Sequence, residues 1–105
     1  EIDWQGAQQV RQLLPDSAWL FILPPSIEAL KTRLQNRAQD NADTIEVRMR
    51  AARDEMSHWH EADYLIINDN FDSALEELRA LVRSLRLRTD QQQSALHVLI
   101  DDLLL

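Results

Sequence analysis

The chain has 105 residues, 45% of them apolar and 28% charged, with a formal net charge of −7 and no cysteine. That is room for at most one globular domain, and it excludes a disulfide framework, a thiol nucleophile and a cysteine-ligated metal. The acidic balance argues against bulk contact with nucleic acid or an anionic membrane. No apolar run reaches membrane-spanning length and no signal-peptide pattern opens the chain, which suits a cytoplasmic protein.

The first residue is Glu1 rather than Met, and "EID" reads as the end of a strand already under way, which points to part of a longer protein. "WQGAQQVRQLL" follows, with Val10, Leu13 and Leu14 at helical spacing. Gly6, the one glycine in the sequence, falls at the expected strand-to-helix turn, where a missing Cβ permits tight geometry or close approach. Pro15 and Asp16 end that helix. "AWLFIL", residues 18–23, is a short apolar run that predicts a strand buried on both faces. Pro24 and Pro25 stop it. Ser26 is a good N-cap, Glu28 suits the first turn, and Ile27, Leu30 and Leu34 mark a helix to about Arg37. After the polar "AQDN", a second helix is expected from Ala42 to about His58, with Ile45, Met49, Ala52 and Met56 on one stripe. "YLIIN", residues 64–68, predicts another strand, and "DNFDSALEELRALVRSL" an amphipathic helix. A polar break, "RTDQQQS", precedes a short tail helix ending "HVLIDDLLL". Strands alternating with helices predict an α/β fold with a parallel sheet.

Arginines carry the clearest chemical signal. Arg33 and Arg37 are four apart, so on a helix they share a face and repel. At offsets of three or four, neither Arg33 nor Arg48 has an acidic neighbour, and Arg37 has only Asp40. Arg50 differs, with Glu46 four before it and Asp54 four after. A planar, permanently charged guanidinium matches phosphate oxygens, so the three could close on a phosphate chain. A solvated charged face explains them equally well from spacing alone. Asp3 and Asn68 both end expected strands, and in open α/β sheets ligands bind beyond the carboxyl ends of strands. Asp3 there could contact a magnesium-bound water, a base or an arginine, or simply serve as a turn or cap residue. Asn68 has the same plain alternative. In "HWHE", residues 58–61, two histidines two apart on a helix point away from each other. Trp59 is therefore expected to pack, with both histidines at the surface. Arg79, Arg83 and Arg86 form a stripe that reads as a solvated face.

Together these stretches resemble the C-terminal half of bacterial guanylate kinases. "EIDWQGAQQVRQ" is similar to the family's "DIDWQGA", "FILPPS" and "RLQNRAQD" to its "FILPPS" and "RLxxRGxD", and "EMSHW" and "DYLIIND" to its "EMSHY" and "DYLIVND". The likeness runs from residue 1 to about 88. It implies the P-loop nucleoside monophosphate kinase fold, here a partial parallel sheet flanked by helices. Residues 1–105 would be the C-terminal part of one domain, with a lid region at about 38–47 and C-terminal helices at about 71–105. It also implies transfer of the γ-phosphoryl of ATP to GMP with magnesium. By position, Arg33 and Arg37 match lid arginines on the ATP phosphates, and Arg48 matches the arginine between donor and acceptor phosphates. Asp3 matches an acid at the GMP site, and Asn68 a residue near the adenine. ATP and GMP are then the expected partners, a homo-oligomer is open, and no metal ligand is assigned.

Ala38 stands where the family has glycine. If that glycine uses a positive φ, Ala38 adds strain of about 1 kcal/mol or more. No G-x-x-x-x-G-K-[ST] occurs in the chain, so the phosphate cradle would lie upstream and the chain alone is expected to be inactive. In the family sheet the P-loop strand lies between "EID" and "WLFIL", so a gap is expected there. A non-catalytic guanylate-kinase-like scaffold is the first rival reading, and the retained lid arginines argue against it. An anion- or nucleic-acid-binding module is the second, and the net charge argues against that.

Overall fold

The structure, a computed structural model, describes residues 2–37 and 41–105, for Arg37 the backbone only. Two compact units divide the chain, Glu1–Asp69 and Asn70–Leu105. In the first, α1 (Trp4–Leu13), β1 (Leu20–Leu23), α2 (Ile27–Arg37), α3 (Ala42–Ser57), a single 3₁₀ turn (Trp59–Glu61) and β2 (Tyr64–Ile67) follow in order. The second holds α4 (Phe71–Arg86) and α5 (Thr89–Leu103).

The starts of α1 to α4 are set by side chains that accept from the third helical N–H, one of the donors left without an intrahelical partner. Asp3 accepts from Gly6 N at 2.7 Å, Ser26 from Ala29 N at 3.0 Å, Asn41 from Thr44 N at 3.0 Å and Asn70 from Ser73 N at 3.0 Å. Gly6 is therefore a helical residue with no positive φ, not a turn glycine. Its missing Cβ matters by close approach, because a Cβ would sit 3.1 Å from Asp3 Oδ1.

The two strands pair in parallel, with Leu20 opposite Tyr64 and Leu23 opposite Ile67. Asn68 N donates to Leu23 O at 2.8 Å and extends the ladder to the carboxyl rim. Parallel pairing follows from the crossover between the strands, which contains α2 and α3. The α3 stripe turns inward as its periodicity requires, with Met49 buried and Ile45, Ala52 and Met56 half-buried. Among the described residues the buried apolar side chains are Ala7, Met49 and Ile66.

Three further expectations about the elements fail. Ile2 and Asp3 form no strand: Asp3 is the cap of α1, and a strand is defined by a paired neighbour that these residues do not have among the described ones. Nor is β1 covered on both faces, since Ile22 is 54% exposed; a sheet of two strands leaves surface that further layers would have to cover. The polar break "RTDQQQS" is helical from Thr89 onward. Glutamine is a good helix former, and Asp90 sits in the first turn, where the helix dipole favours an acid. The expectation for Ala38, and the pairing of Arg37 with Asp40, lie outside the described residues. Among the described residues no helix is long and apolar enough to cross a membrane.

Candidate functional site

Both strands end on one rim because they are parallel. At that rim Arg33, near the C-terminal end of α2, donates from Nη2 to the backbone carbonyl of Asn68 at 2.8 Å. Two of the five candidate residues are thus brought together, although 35 positions separate them in the chain. The acceptor is neutral, so the contact orients the guanidinium without cancelling its charge, and the remaining N–H groups of the fork stay available for an anion. Arg37 follows one helical turn later on α2; its side chain is outside the described set.

Arg48 lies on α3, half-buried, and is not a free cation. Arg50, two residues on, is exposed, with Nε 3.8 Å from Glu46 Oε1. Asp54, its other expected partner, accepts instead from Trp4 Nε1 at 3.2 Å. Asp3 is exposed at the start of α1, where one oxygen caps the helix. It also lines a cleft of about 1020 Å³, walled by α1, by Leu20, Phe21 and Ile22 of β1, by Leu30 of α2, and by Ala52, Glu55 and Met56 of α3. This cleft lies between "ID" and β1, where the sequence reading leaves a gap for a central strand.

His60 is exposed as expected, but the expectation for His58 and Trp59 is reversed. His58 is half-buried and stacks on Trp4, with ring centroids 3.7 Å apart and planes 11° from parallel, while Trp59 is 53% exposed. The cause is the change from α-helix to 3₁₀ turn at His58, which breaks the spacing rule used to aim the side chains. His58 Nδ1 also meets Glu61 Oε2, and Glu61 Oε1 accepts from Gln8 Nε2 at 2.6 Å. The bond from Gln8, then that from His58, holds the Glu61 carboxyl below its ordinary value. Next to this, Arg11 pins α1 to the base of β2. It donates to Glu61 O at 2.9 Å and to Asp63 Oδ2 at 2.6 Å, and its guanidinium lies 5.3 Å from the Trp19 ring centre. The residues that sequence reasoning passed over are Trp4 and Glu55, and His58 was placed at the surface. Their only signal was membership of the "DWQGA" and "EMSHW" stretches, which carried no stated chemistry.

The family model for guanylate kinase matches residues 1–85. The chain belongs to the guanylate kinase family. A guanylate kinase from Methylobacillus flagellatus is 62% identical over 92 residues, 88% of this chain and 46% of that protein. One from Pseudomonas fluorescens strain Pf0-1 is 53% identical over 104 residues, 99% of this chain and 50% of the relative. Among solved structures, the guanylate kinase of Anaplasma phagocytophilum aligns with a TM-score of 0.68 at 26% identity, covering 89% of this chain and 47% of that one. The chain thus spans about half the length of the guanylate kinases it matches. The expected fold class, helices flanking a small parallel sheet of the nucleoside monophosphate kinase type, holds.

Proposed function

We propose that this chain supplies the arginine-bearing half of an enzyme that transfers the γ-phosphoryl of ATP to GMP. The observation that carries the reading is the Arg33 guanidinium held on the carboxyl rim of the parallel sheet by the carbonyl of Asn68. Ligands of open α/β sheets bind at that rim, and a fork oriented by a neutral acceptor keeps its charge for phosphate. Membership of the guanylate kinase family supports the choice of substrates.

In this reading Arg33 and Arg37 hold the phosphates of ATP, and Asn68 lies near the adenine. Arg48 stabilises charge between donor and acceptor, and Asp3 contacts GMP. Phosphoryl transfer depends mainly on positioning and charge stabilisation, which is the work arginine clamps do. Magnesium, which the family implies, would supply charge neutralisation on the triphosphate when bound. Among the described residues no group of three or more His, Asp or Glu side chains is placed to hold a metal ion.

A coupled assay of the full-length enzyme with ATP, magnesium and either GMP or another nucleoside monophosphate tests the proposal. Turnover with GMP, lost on Arg33→Ala, is expected. Full turnover in Arg33→Ala, or indifference to GMP, would overturn it.

A further inference from the structure

We propose that Glu55, Trp4 and His58 form a clasp that fixes Asp3 relative to helix α3, making Glu55 and His58 positioning residues for the acceptor nucleotide. The inference rests on the reading of Asp3 as the acid at the GMP site.

The Trp4 N–H opens α1 and has no intrahelical acceptor. The Glu55 carboxylate takes it with both oxygens, at 3.3 and 3.2 Å. The indole of the same residue is held twice more from the end of α3. Its Nε1 donates to Asp54 at 3.2 Å, and its ring stacks on His58 at 3.7 Å. Three residues of one helix end, Asp54, Glu55 and His58, therefore grip the residue next to Asp3. Glu61 closes the ring, joining His58 to Gln8 of α1's second turn.

Asp3 itself uses one oxygen to cap Gly6 N. Its backbone carbonyl accepts from Ala7 N at 2.9 Å. Its direction is thus set by the first turn of α1, and that turn is set by Glu55. A carboxylate at this helix start is also favoured by the backbone dipole. Arg48 and Glu55 are seven positions apart on α3, two turns along one face, a rise of roughly 10.5 Å at 1.5 Å per residue. The clasp holds the acceptor-side acid at a fixed place relative to α3.

The test uses the full-length enzyme and the variants Glu55→Ala, Glu55→Gln, His58→Ala and His58→Phe. Steady-state kinetics give KM for GMP, KM for ATP and kcat, and hydrogen exchange follows the Trp4 amide. Glu55→Ala is expected to raise KM for GMP about tenfold, the size of one hydrogen bond to a charged group. KM for ATP and kcat should stay within about twofold, and the Trp4 amide should exchange faster. Glu55→Gln, which keeps an acceptor oxygen, and His58→Phe, which keeps the stack, should each recover most of the loss seen in the corresponding alanine variant. A parallel rise of both KM values, as general destabilisation would give, overturns the proposal. So does an unchanged KM for GMP beside a faster Trp4 amide. If the wild type does not phosphorylate GMP, the functional reading fails instead. The clasp then stands on the exchange of Trp4 alone, and unchanged exchange in Glu55→Ala removes it.

Discussion

The open edge of β1 offers a quantitative test. Trp19 and Leu23 turn their carbonyls toward β2, accepting from Tyr64 N at 3.1 Å and Asn68 N at 2.8 Å. Successive residues of a strand alternate in the direction of their backbone groups, so Leu20 and Ile22 present theirs to the opposite edge. Ile22 also lines the cleft and is 54% exposed. The perturbation is Ile22→Pro, which removes a donor from the open edge and leaves the β2 ladder intact, the placement in which proline is tolerated. In isolation the chain should give helical far-UV circular dichroism, strong ANS binding and a weak near-UV signal, because so little of its apolar surface is buried. The amino-terminal half of a guanylate kinase, added in trans, should lower ANS binding as a strand docks into the cleft. One lost backbone hydrogen bond weakens docking by about 1 kcal/mol, and lost cover for the half-exposed isoleucine by about another 1 kcal/mol. The sum of about 2 kcal/mol is roughly a thirtyfold weaker complementation. Far-UV dichroism of the isolated variant should match the parent. Complementation of Ile22→Pro at the parent's affinity would refute the edge assignment. A sharp cooperative melt of a monodisperse parent monomer without ANS binding would refute the gap itself.

Three further outcomes are expected. The 105-residue chain alone should give no turnover in a coupled assay with ATP, GMP and magnesium; turnover abolished by Arg48→Ala would contradict the assignment of essential parts to another segment. Glu61, with its carboxyl held below the ordinary 4.5, contributes stability that is present above that pH and is lost as pH falls through the folded value. Gln8→Ala removes the largest cause of that shift, so urea midpoints of the full-length protein should fall less steeply on acidification, and an unaltered slope would count against the bond. Asp63→Ala strands the Trp19 N–H, bonded at 2.8 Å, and releases Arg11. Because both side chains are substantially exposed, the loss should be about 1–2 kcal/mol by urea denaturation, and no loss would dismiss the pin.

Elements with strong local signals were legible in the sequence. The α3 stripe and the Ser26 cap depend on contacts within a few residues of one another, and both are found as expected. What the sequence hid depends on distant partners. Arg33 has no helical carboxylate at three or four positions, yet its fork meets Asn68 O, a contact across the crossover that spacing cannot register. Glu55 reads as a solvated acid on an amphipathic helix until Trp4 N is placed against it. Asp3 reads as a strand end because its preceding residues suit a strand, but a strand needs a neighbour, and its local cap to Gly6 prevails. His58 and Trp59 exchanged roles because a 3₁₀ turn altered the angular spacing by which they were aimed.

The central claim is that arginines of this chain act on phosphate charge, and the comparison of Arg48→Ala with Arg50→Ala in the full-length enzyme tests it most directly. Arg50 is exposed and shares a 3.8 Å pair with Glu46, a contact worth roughly 0.3–0.5 kcal/mol. Its removal should leave kinetics nearly unchanged. An arginine acting on charge that develops in the transition state lowers kcat far more than it raises either KM when removed. By analogy with arginine fingers the loss for Arg48→Ala is about 10³-fold or more in kcat. A kcat in Arg48→Ala equal to that of Arg50→Ala would contradict the account.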